Sequence, residues 1–501
     1  MKIKGGVCLE TLFYELIYDK RLKRSITILE MLYRAENNVS IKELEEVLKI
    51  STKTLLTTLN FMKTLLPTTF SIFVVEKNVH LYNDTKQTVE VAIIEIAKQT
   101  ISFQVFEHAF LNQKININEL AKKLFISESA LRVRIRHINK TLKLFGCSLS
   151  AYNVKFMGSE ANIRYFGYAY FCEFQKLHLS VCEEQLQDCY CIYVNIQKEL
   201  KKYGNQLMNY SYQQVIRMLL ITGDRIAVGK FIKIDENFIK KIQKRASYRI
   251  FRRIYESELS KYWKIPKLPE DEIIWAYVAS FNTIIYSIKE KRVLNYVEEG
   301  NQLYKERIII ILEKVMEKLE ILDEDKKEFI NIHTVYLLNV SLLTELSPIF
   351  QLGSLAVKNH VVNNLDALYN TWHDCLANLN EENLFPIYNI QSISAQLAMI
   401  SSQFMCEKEM PIEKVLYSFE GESGFPAYLE KLGSEILPEG VEGIFIYNEP
   451  ITSKLIERIK PDIVVYNYEI QEKIVGCKAL RISYIPKEQE WTLLKTLIAN
   501  G

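Results

Sequence analysis

Three arginines at alternate positions, Arg132, Arg134 and Arg136, stand in the stretch ISESALRVRIRHINKTLKLF from Ile126 to Phe145. Guanidinium groups at this density suit the holding of anions, phosphate above all, because each presents a fixed fork of donors. The alternation suggests a strand with one charged face. Leu131, Ile135, Ile138, Leu142 and Phe145, however, follow the i, i+4, i+7, i+11, i+14 spacing of a helical stripe. On that helix Ser129, Arg132, Arg136, Lys140 and Lys143 share an arc of roughly 80° opposite the stripe, with Arg134 and His137 to one side. Ser127 is the expected N-cap, leaving the first turn free to face something negative. Taken alone, the helix has a plainer reading as a solvated basic face.

The elements that must position these arginines tip the balance. INELAKKLFIS precedes them: a helix of about two turns and then a tight turn, the order of a helix-turn-helix. The same pattern occurs earlier. VSIKELEEVLKIS from Val39 aligns with ININELAKKLFIS from Ile115 at a constant offset of 76 residues, without a gap. Leu44 meets Leu120, Leu48 meets Leu124, and Ser51 meets Ser127. Beyond the turn, Leu55, Leu59, Met62 and Leu66 answer Leu131, Ile135, Ile138 and Leu142. The outward face of the earlier copy is Lys53, Thr57, Asn60 and Lys63, so the duplicated motif offers two DNA-reading helices. Each copy is followed by alternating apolar residues, SIFVVEKNVHLYN and CSLSAYNVKFMGS, which predict a two-stranded wing.

Charge agrees with this placement. The chain of 501 residues is nearly neutral at +2, yet residues 1–165 hold 24 Lys+Arg against 16 Asp+Glu, a balance of +8, which leaves −6 for the rest. With 48% hydrophobic and 25% charged residues the composition is that of a soluble globular protein of several domains. The N-terminal stretch MKIKGGVCLETLFYELIYDK gains acidic residues before any long apolar core, and IIWAYVASFNTIIYSI is shorter than a membrane span. A cytoplasmic protein with no membrane partner is expected. Nine cysteines form no framework. Cys172, His178, Cys182, Cys189 and Cys191 cluster without the paired C-x₂-C of structural zinc sites, so free thiols are expected rather than a metal centre.

From about residue 167 to 404 the pattern is helical, with two successive units near 207–288 and 326–404 whose helix lengths and order match. Lys240, Lys241, Lys244, Arg245, Arg249, Arg252 and Arg253 form a basic run in the first, read as a solvated helix face. After Met410 come short β-rich runs, IEKVLYSF, EGIFIYN, DIVVYNYEI and ALRISYIP, separated by helix-compatible segments and followed by a last helix. They predict a small α/β domain with a mainly parallel sheet.

This order of parts resembles the Mga/AtxA family of bacterial virulence and global regulators over the whole chain. The most specific local likeness is GSEANIRYFGYAYF from Gly158, similar to the G-x-E-x-x-I-R segment that closes the second DNA-binding module in that family. The resemblance implies a mostly α chain: winged helix-turn-helix modules over 1–85 and 86–166, helical phosphotransferase-system regulation domains (PRDs) over 167–290 and 291–406, and an enzyme IIB-like α/β domain over 410–501. It implies a DNA-binding transcription regulator, expected to be an activator, tuned by phosphorylation from a phosphotransferase-system phosphocarrier and by homodimerisation through the C-terminal domain, with RNA polymerase as a further partner. Candidate phosphoacceptors are His333, His360 and His373, whereas no histidine lies between His178 and His333. Where a cysteine-type IIB domain carries its thiol this chain reads VLYSFEGESG. A fold kept without its transfer chemistry, and no enzyme, cofactor or metal, is therefore expected. The alternatives are an RNA-binding antiterminator with the same regulatory domains, or a phosphotransfer protein. The duplicated helix-turn-helix weighs against the first, and the missing thiol against the second.

Overall fold

The computed structural model describes residues 12–35, 37–83, 89–111, 115–173, 183–202, 210–263, 265, 267–288, 302–381, 386–405, 413–470, 472 and 474–499. It divides into two compact units, residues 1–158 with 481–493, and residues 159–480 with 494–501.

In the first unit, α1 (Leu12–Leu16) and α2 (Lys20–Arg34) precede a short strand β1 (Asn38–Ser40) and the pair α3 (Ile41–Leu48) and α4 (Thr52–Leu65). The hairpin β2 (Phe70–Val75) and β3 (Asn78–Asn83) follows, its two-residue turn made by Glu76 and Lys77, both at positive φ as the strand twist demands. Pairing of β1 with β3 completes a three-stranded antiparallel sheet, one strand more than the sequence predicts. Helices α5 (Val89–Lys98) and α6 (Ile101–Phe110) lead to the second pair, α7 (Ile117–Lys123) and α8 (Glu128–Leu142), and to the antiparallel wing β4 (Cys147–Leu149) and β5 (Phe156–Gly158).

The offset of 76 residues survives in atomic detail. Ser51 and Ser127 are the side-chain N-caps of α4 and α8. Lys49 and Phe125 both turn the chain through the left-handed region, at φ 52° and 54°. The amide of Ile50 donates to the Glu45 carbonyl as that of Ile126 does to Ala121. Leu44, Leu55, Leu59 and Met62 are buried, as are Leu120, Leu131, Ile135 and Ile138.

The second unit opens with α9 (Glu160–Glu173) and continues as two runs of five helices. The first run is α10 (Glu183–Lys201), α11 (Tyr212–Ala227), α12 (Glu236–Gln243), α13 (Ala246–Tyr262) and α14 (Glu270–Ser280). The second is α15 (Gln302–Leu319), α16 (Lys326–Leu346), α17 (Leu355–Asn364), α18 (Asp366–Glu381) and α19 (Ile390–Ser402). Each first helix packs on the second and fourth of its run, and the fourth packs on the third and fifth. The two runs thus repeat one arrangement. The helices expected over FIKKIQKRASYRIFRRIYESEL and LAVKNHVVNNLDALYNTWHDCL are each broken, at Lys244–Arg245 and at Leu365. The one expected over EIIWAYVASFNTIIYSI ends at Ser280 and passes through a single 3₁₀ turn. Helix α16 is long and apolar enough to cross a membrane by length and composition alone, and its buried residues make it a core helix.

The tail is the expected α/β domain. Its strands β6 (Glu413–Ser418), β7 (Val441–Ile446), β8 (Ile463–Tyr466) and β9 (Lys478–Arg481) lie in the order β7-β6-β8-β9, with β6 parallel to both neighbours. The intervening helices are α20 (Phe425–Glu435) and α21 (Ser453–Ile459), and α22 (Glu488–Ala499) is last. Residues 481–493 group with the first unit, where Lys487 lies over the Tyr33 ring at 3.9 Å, so the tail is not set apart as a single block over 410–501.

The segment from Gly158 belongs to two places. Gly158 itself has φ +132°, and a Cβ there would stand 2.9 Å from the Gly146 carbonyl oxygen, so only glycine ends this wing. From Ser159 onward the chain packs in the second unit. Arg164, wholly buried, places two nitrogens on Glu272 at 2.7 and 2.9 Å and its Nε on Glu160 at 3.2 Å. Arg225 grips Glu160 at 2.7 and 2.8 Å. Four buried charges therefore alternate in sign across α9, α11 and α14. We expect Glu272→Ala, which leaves two arginines facing one carboxylate, to cost about 3–5 kcal/mol. Replacing Arg164 and Glu272 together by apolar residues of similar volume should cost much less. Urea unfolding followed by circular dichroism compares the two.

Candidate nucleic-acid interface

Helix α8 forms because Ser127 caps it, Glu128 sits in its positive first turn, and Leu131, Ile135, Ile138 and Leu142 bury one stripe. That burial leaves Ser129, Arg136, Lys140 and Lys143 exposed on the opposite face, as their spacing predicts. Arg132 departs from them. It is half-buried, its Nε donates to Glu128 at 2.7 Å and its Nη1 to the Ala151 carbonyl at 3.1 Å, so its fork is fixed between the helix start and the wing turn. Arg134 leans over the Tyr18 ring at 5.5 Å, and His137 bonds the Glu15 carbonyl at 3.0 Å, so α1 occupies the side of α8 that these two residues define.

Two further features were not read from the sequence. Asn139, on α8, donates to the Leu149 carbonyl at 2.9 Å and accepts from the Leu149 amide at 2.7 Å, a pairing that fixes the wing to the helix as an extra strand residue would. A polar residue at the edge of the basic arc, roughly 20° beyond Arg132, is its only signal in the sequence. The wing turn also presents Tyr152, and the helix-turn-helix turn presents Phe125, 96% exposed. In the first copy Lys53, Thr57, Asn60 and Lys63 are all exposed on α4, with the Thr57 hydroxyl turned back to the Lys53 carbonyl at 2.8 Å. The two copies thus present a weakly charged polar helix and a strongly basic one.

Two families match these two modules. A profile described as the M protein trans-acting positive regulator (MGA) HTH domain covers residues 19–77, and one described as the Mga helix-turn-helix domain covers residues 84–171. Similar curated proteins include a Streptococcus pneumoniae chain described as a trans-acting regulator, 22% identical over 424 residues, 80% of this chain and 78% of that one. The capsule synthesis positive regulator AcpA of Bacillus anthracis is 24% identical over 319 residues, 62% of this chain and just under two thirds, 64%, of AcpA. The anthrax toxin expression trans-acting positive regulator of the same organism is 21% identical over 410 residues, 80% of this chain and 83% of that one. These matches support the Mga/AtxA-like regulator family. Its members are regulators, not enzymes.

Outside the modules, the three candidate phosphoacceptors sit in different environments. His333 is wholly buried on α16, stacked between Phe329 and Trp372. Its Nδ1 faces the Phe329 carbonyl at 2.8 Å, so that nitrogen carries the proton, and Nε2 accepts from the Ser401 hydroxyl at 2.9 Å. The Trp372 indole N–H donates to the same Ser401 oxygen at 2.8 Å. Both ring nitrogens are engaged and no face is open. His360 is half-buried, its Nε2 3.3 Å from the Tyr428 hydroxyl. His373 has 37% of its side chain exposed, close to Asp374. His178 and Cys182 lie outside the described residues. Cys172, Cys189 and Cys191 are free thiols, and no group of ligands for a metal ion occurs among the described residues.

The loop after β6 is filled rather than open. Glu420 pairs with the buried Arg217 of α11, and the Asn467 side chain bonds both the Glu420 amide at 2.6 Å and the Glu420 carbonyl at 2.8 Å. Glu422 accepts from the Ser354 amide and the Gln396 side chain, and burial pushes its carboxyl up to about 7. Gly424 lies so close to the Gln396 carbonyl that a Cβ would stand 2.8 Å from that oxygen.

Burial pushes the His333 imidazole down to about 3 from an ordinary 6.5. The unfolded chain therefore takes up a proton below about pH 6.5 that the folded chain refuses, and stability falls as pH drops from there towards 3. The loss is up to about 1.4 kcal/mol per pH unit. We expect His333→Leu to flatten that part of the profile, measured by urea unfolding between pH 7 and pH 4.5.

Proposed function

We propose that this chain is a DNA-binding transcription regulator whose second module supplies most of the grip on duplex DNA. The observation that carries the reading is the duplicated, serine-capped helix-turn-helix, with Arg136, Lys140 and Lys143 free on the outer face of α8. Positive charge on an exposed helix face gains affinity by displacing counterions from phosphates. Arg132, held between Glu128 and Ala151, is pre-positioned beside the wing, while Lys53, Thr57, Asn60 and Lys63 of α4 give the first module a milder, more polar contact. Relatives described as positive regulators favour activation, with RNA polymerase as the partner that activation requires, and action in the cytoplasm.

In the same reading the two five-helix runs are PRDs and the tail is an enzyme IIB-like domain that has lost its thiol. Phosphate from a phosphotransferase-system phosphocarrier adds roughly two negative charges where it lands. Among the three histidines, His373 takes it without local opening, whereas His333 and His360 must first leave their hydrogen bonds and stacking partners. Homodimerisation through the C-terminal domain completes the reading, since two sets of readers on one assembly raise affinity through effective concentration. Deleting residues 410–501 is a poor test of it, because Arg217 loses its buried partner. A full-length chain that sediments as a monomer at micromolar concentration removes this part of the proposal.

The grip itself is tested by salt dependence. With a bound genomic duplex, we expect Arg136→Ala with Lys140→Ala to reduce the slope of log affinity against log salt by about 2, at roughly 0.9 for each phosphate no longer neutralised. A double variant with the parent's slope and affinity would refute the assignment. Tighter binding of RNA hairpins than of duplex DNA by the parent would favour an antiterminator instead.

A further inference from the structure

In the first unit, the corner between α1 and α2 touches both α4 and α8. On one side the Arg21 guanidinium lies 3.8 Å over the ring of Phe61, which follows Thr57 by one turn of α4 and borders its exposed polar face. On the other, the Glu15 carbonyl bonds His137 of α8 at 3.0 Å, and the Tyr18 ring meets His137 edge-on with centroids 5.5 Å apart. His137 stands roughly 60° around α8 from Lys140, at the edge of the basic arc. The corner therefore joins the flanks of the two helices that meet DNA in the reading above. We propose that it is a third DNA contact: Lys20, Arg21 and Arg24 hold backbone phosphates between the stretches met by α4 and α8, so that one duplex runs across both modules.

The charges carry the argument. KRLKR from Lys20 places cations at Lys20, Arg21, Lys23 and Arg24, at the start of α2. None of these has a carboxylate partner among the described residues. Asp19, the adjoining acid, spends its side chain on the Arg21 and Leu22 amides at 2.7 and 3.3 Å, so the helix end is already capped and only the side chains remain for a ligand. Cations in a first turn oppose the helix dipole, and α2 gains nothing from them. A partner of opposite sign does. Lys23 lies over the Tyr14 ring at 4.6 Å, whereas Lys20 and Arg21 are exposed. Arg21 is steadied by Phe61, and Arg24 is tied by its Nε to the Lys20 carbonyl at 3.1 Å, which leaves its two terminal nitrogens to donate to phosphate. Duplex DNA carries roughly one negative charge for every 1.7 Å of its axis. A duplex that reaches both α4 and α8 must therefore present phosphates to whatever stands between them, a requirement that an acidic protein surface does not have.

The inference rests on the DNA-binding reading, and salt titrations of the full-length chain on a bound genomic duplex separate the two. Lys20→Ala with Arg24→Ala should lower the slope of log affinity against log salt by about 2, as two phosphates go unneutralised. The order of preference among base-substituted duplexes should stay the parent's, because phosphate contacts carry no sequence information. Lys20→Arg with Arg24→Lys should keep the parent's slope. Neutral methylphosphonates in place of the phosphates between the two footprinted stretches should weaken the parent at least about threefold and the alanine pair hardly at all. An alanine pair with the parent's slope and affinity overturns the inference, and it does so alone if Arg136→Ala with Lys140→Ala still loses slope. An alanine pair that binds DNA as the parent does but loses activity in cells also overturns it, in favour of an acidic protein partner. Should the alanine pair fail to fold, equal affinity of the parent for the native and methylphosphonate duplexes overturns it.

Discussion

The second unit depends on a row of charges almost wholly withdrawn from water. Arg225, Glu160, Arg164 and Glu272 alternate in a buried row, each carboxylate bridging or facing a guanidinium with two-pronged geometry. The Lys230 carbonyl and the Ile232 amide satisfy what remains. Such a row gains little over apolar packing, because desolvation offsets most of the attraction. It is strict about geometry, however. Any displacement of α9 against α11 or α14 strands a charge, so the helix that begins two residues after the second wing has one permitted seat in its unit. The G-x-E-x-x-I-R pattern encodes that seat: glycine for the backbone turn, glutamate and arginine one helical turn apart for the row, and Ile163 for the core between them.

The same economy explains the tail. A loop at the end of the first strand of a parallel sheet is normally where an α/β domain meets its ligand. Here that position has been given to carboxylates that serve the helices. Glu420 neutralises Arg217, and Glu422 closes on Ser354 and Gln396 next to glycines that leave no room for a side chain. Phosphate brought to this loop would meet two carboxylates and no thiol. The loop is a seal between the α/β layer and both helical runs.

Much of this was legible in the sequence. The offset of 76 residues announced not only two helix pairs but also the shared serine caps, because cap, turn and stripe are local and periodic. The parallel tail followed from short apolar runs bounded by turns. The breaks at Lys244–Arg245 and Leu365 were not legible, since both segments keep helical periodicity through the break. Neither was the fate of individual polar groups. Arg132 shares its arc with Arg136, yet its turn-mate Glu128 and the Ala151 carbonyl, 19 residues on, draw it inward. His333 looked like an available histidine because sequence shows neighbours along the helix, whereas Trp372 and Ser401, which enclose it, come from other helices.

That distinction also separates the two helix-turn-helix copies. A basic residue free on a helix follows the phosphate backbone wherever it lies, and so contributes affinity with little discrimination. A guanidinium whose fork is already fixed spends no rotamer entropy on contact and tolerates only partners at the right distance. Helix α8 carries both kinds, Arg136 and the two lysines free, Arg132 fixed, with Asn139 holding the wing whose turn supplies the Ala151 carbonyl. Helix α4 carries hydroxyl and amide groups among two lysines, and its longer hairpin has no counterpart to the Asn139 bridge among the described residues. The physical asymmetry of the repeat is therefore one of rigidity as well as charge, with Arg132 fixed at the junction of helix and wing.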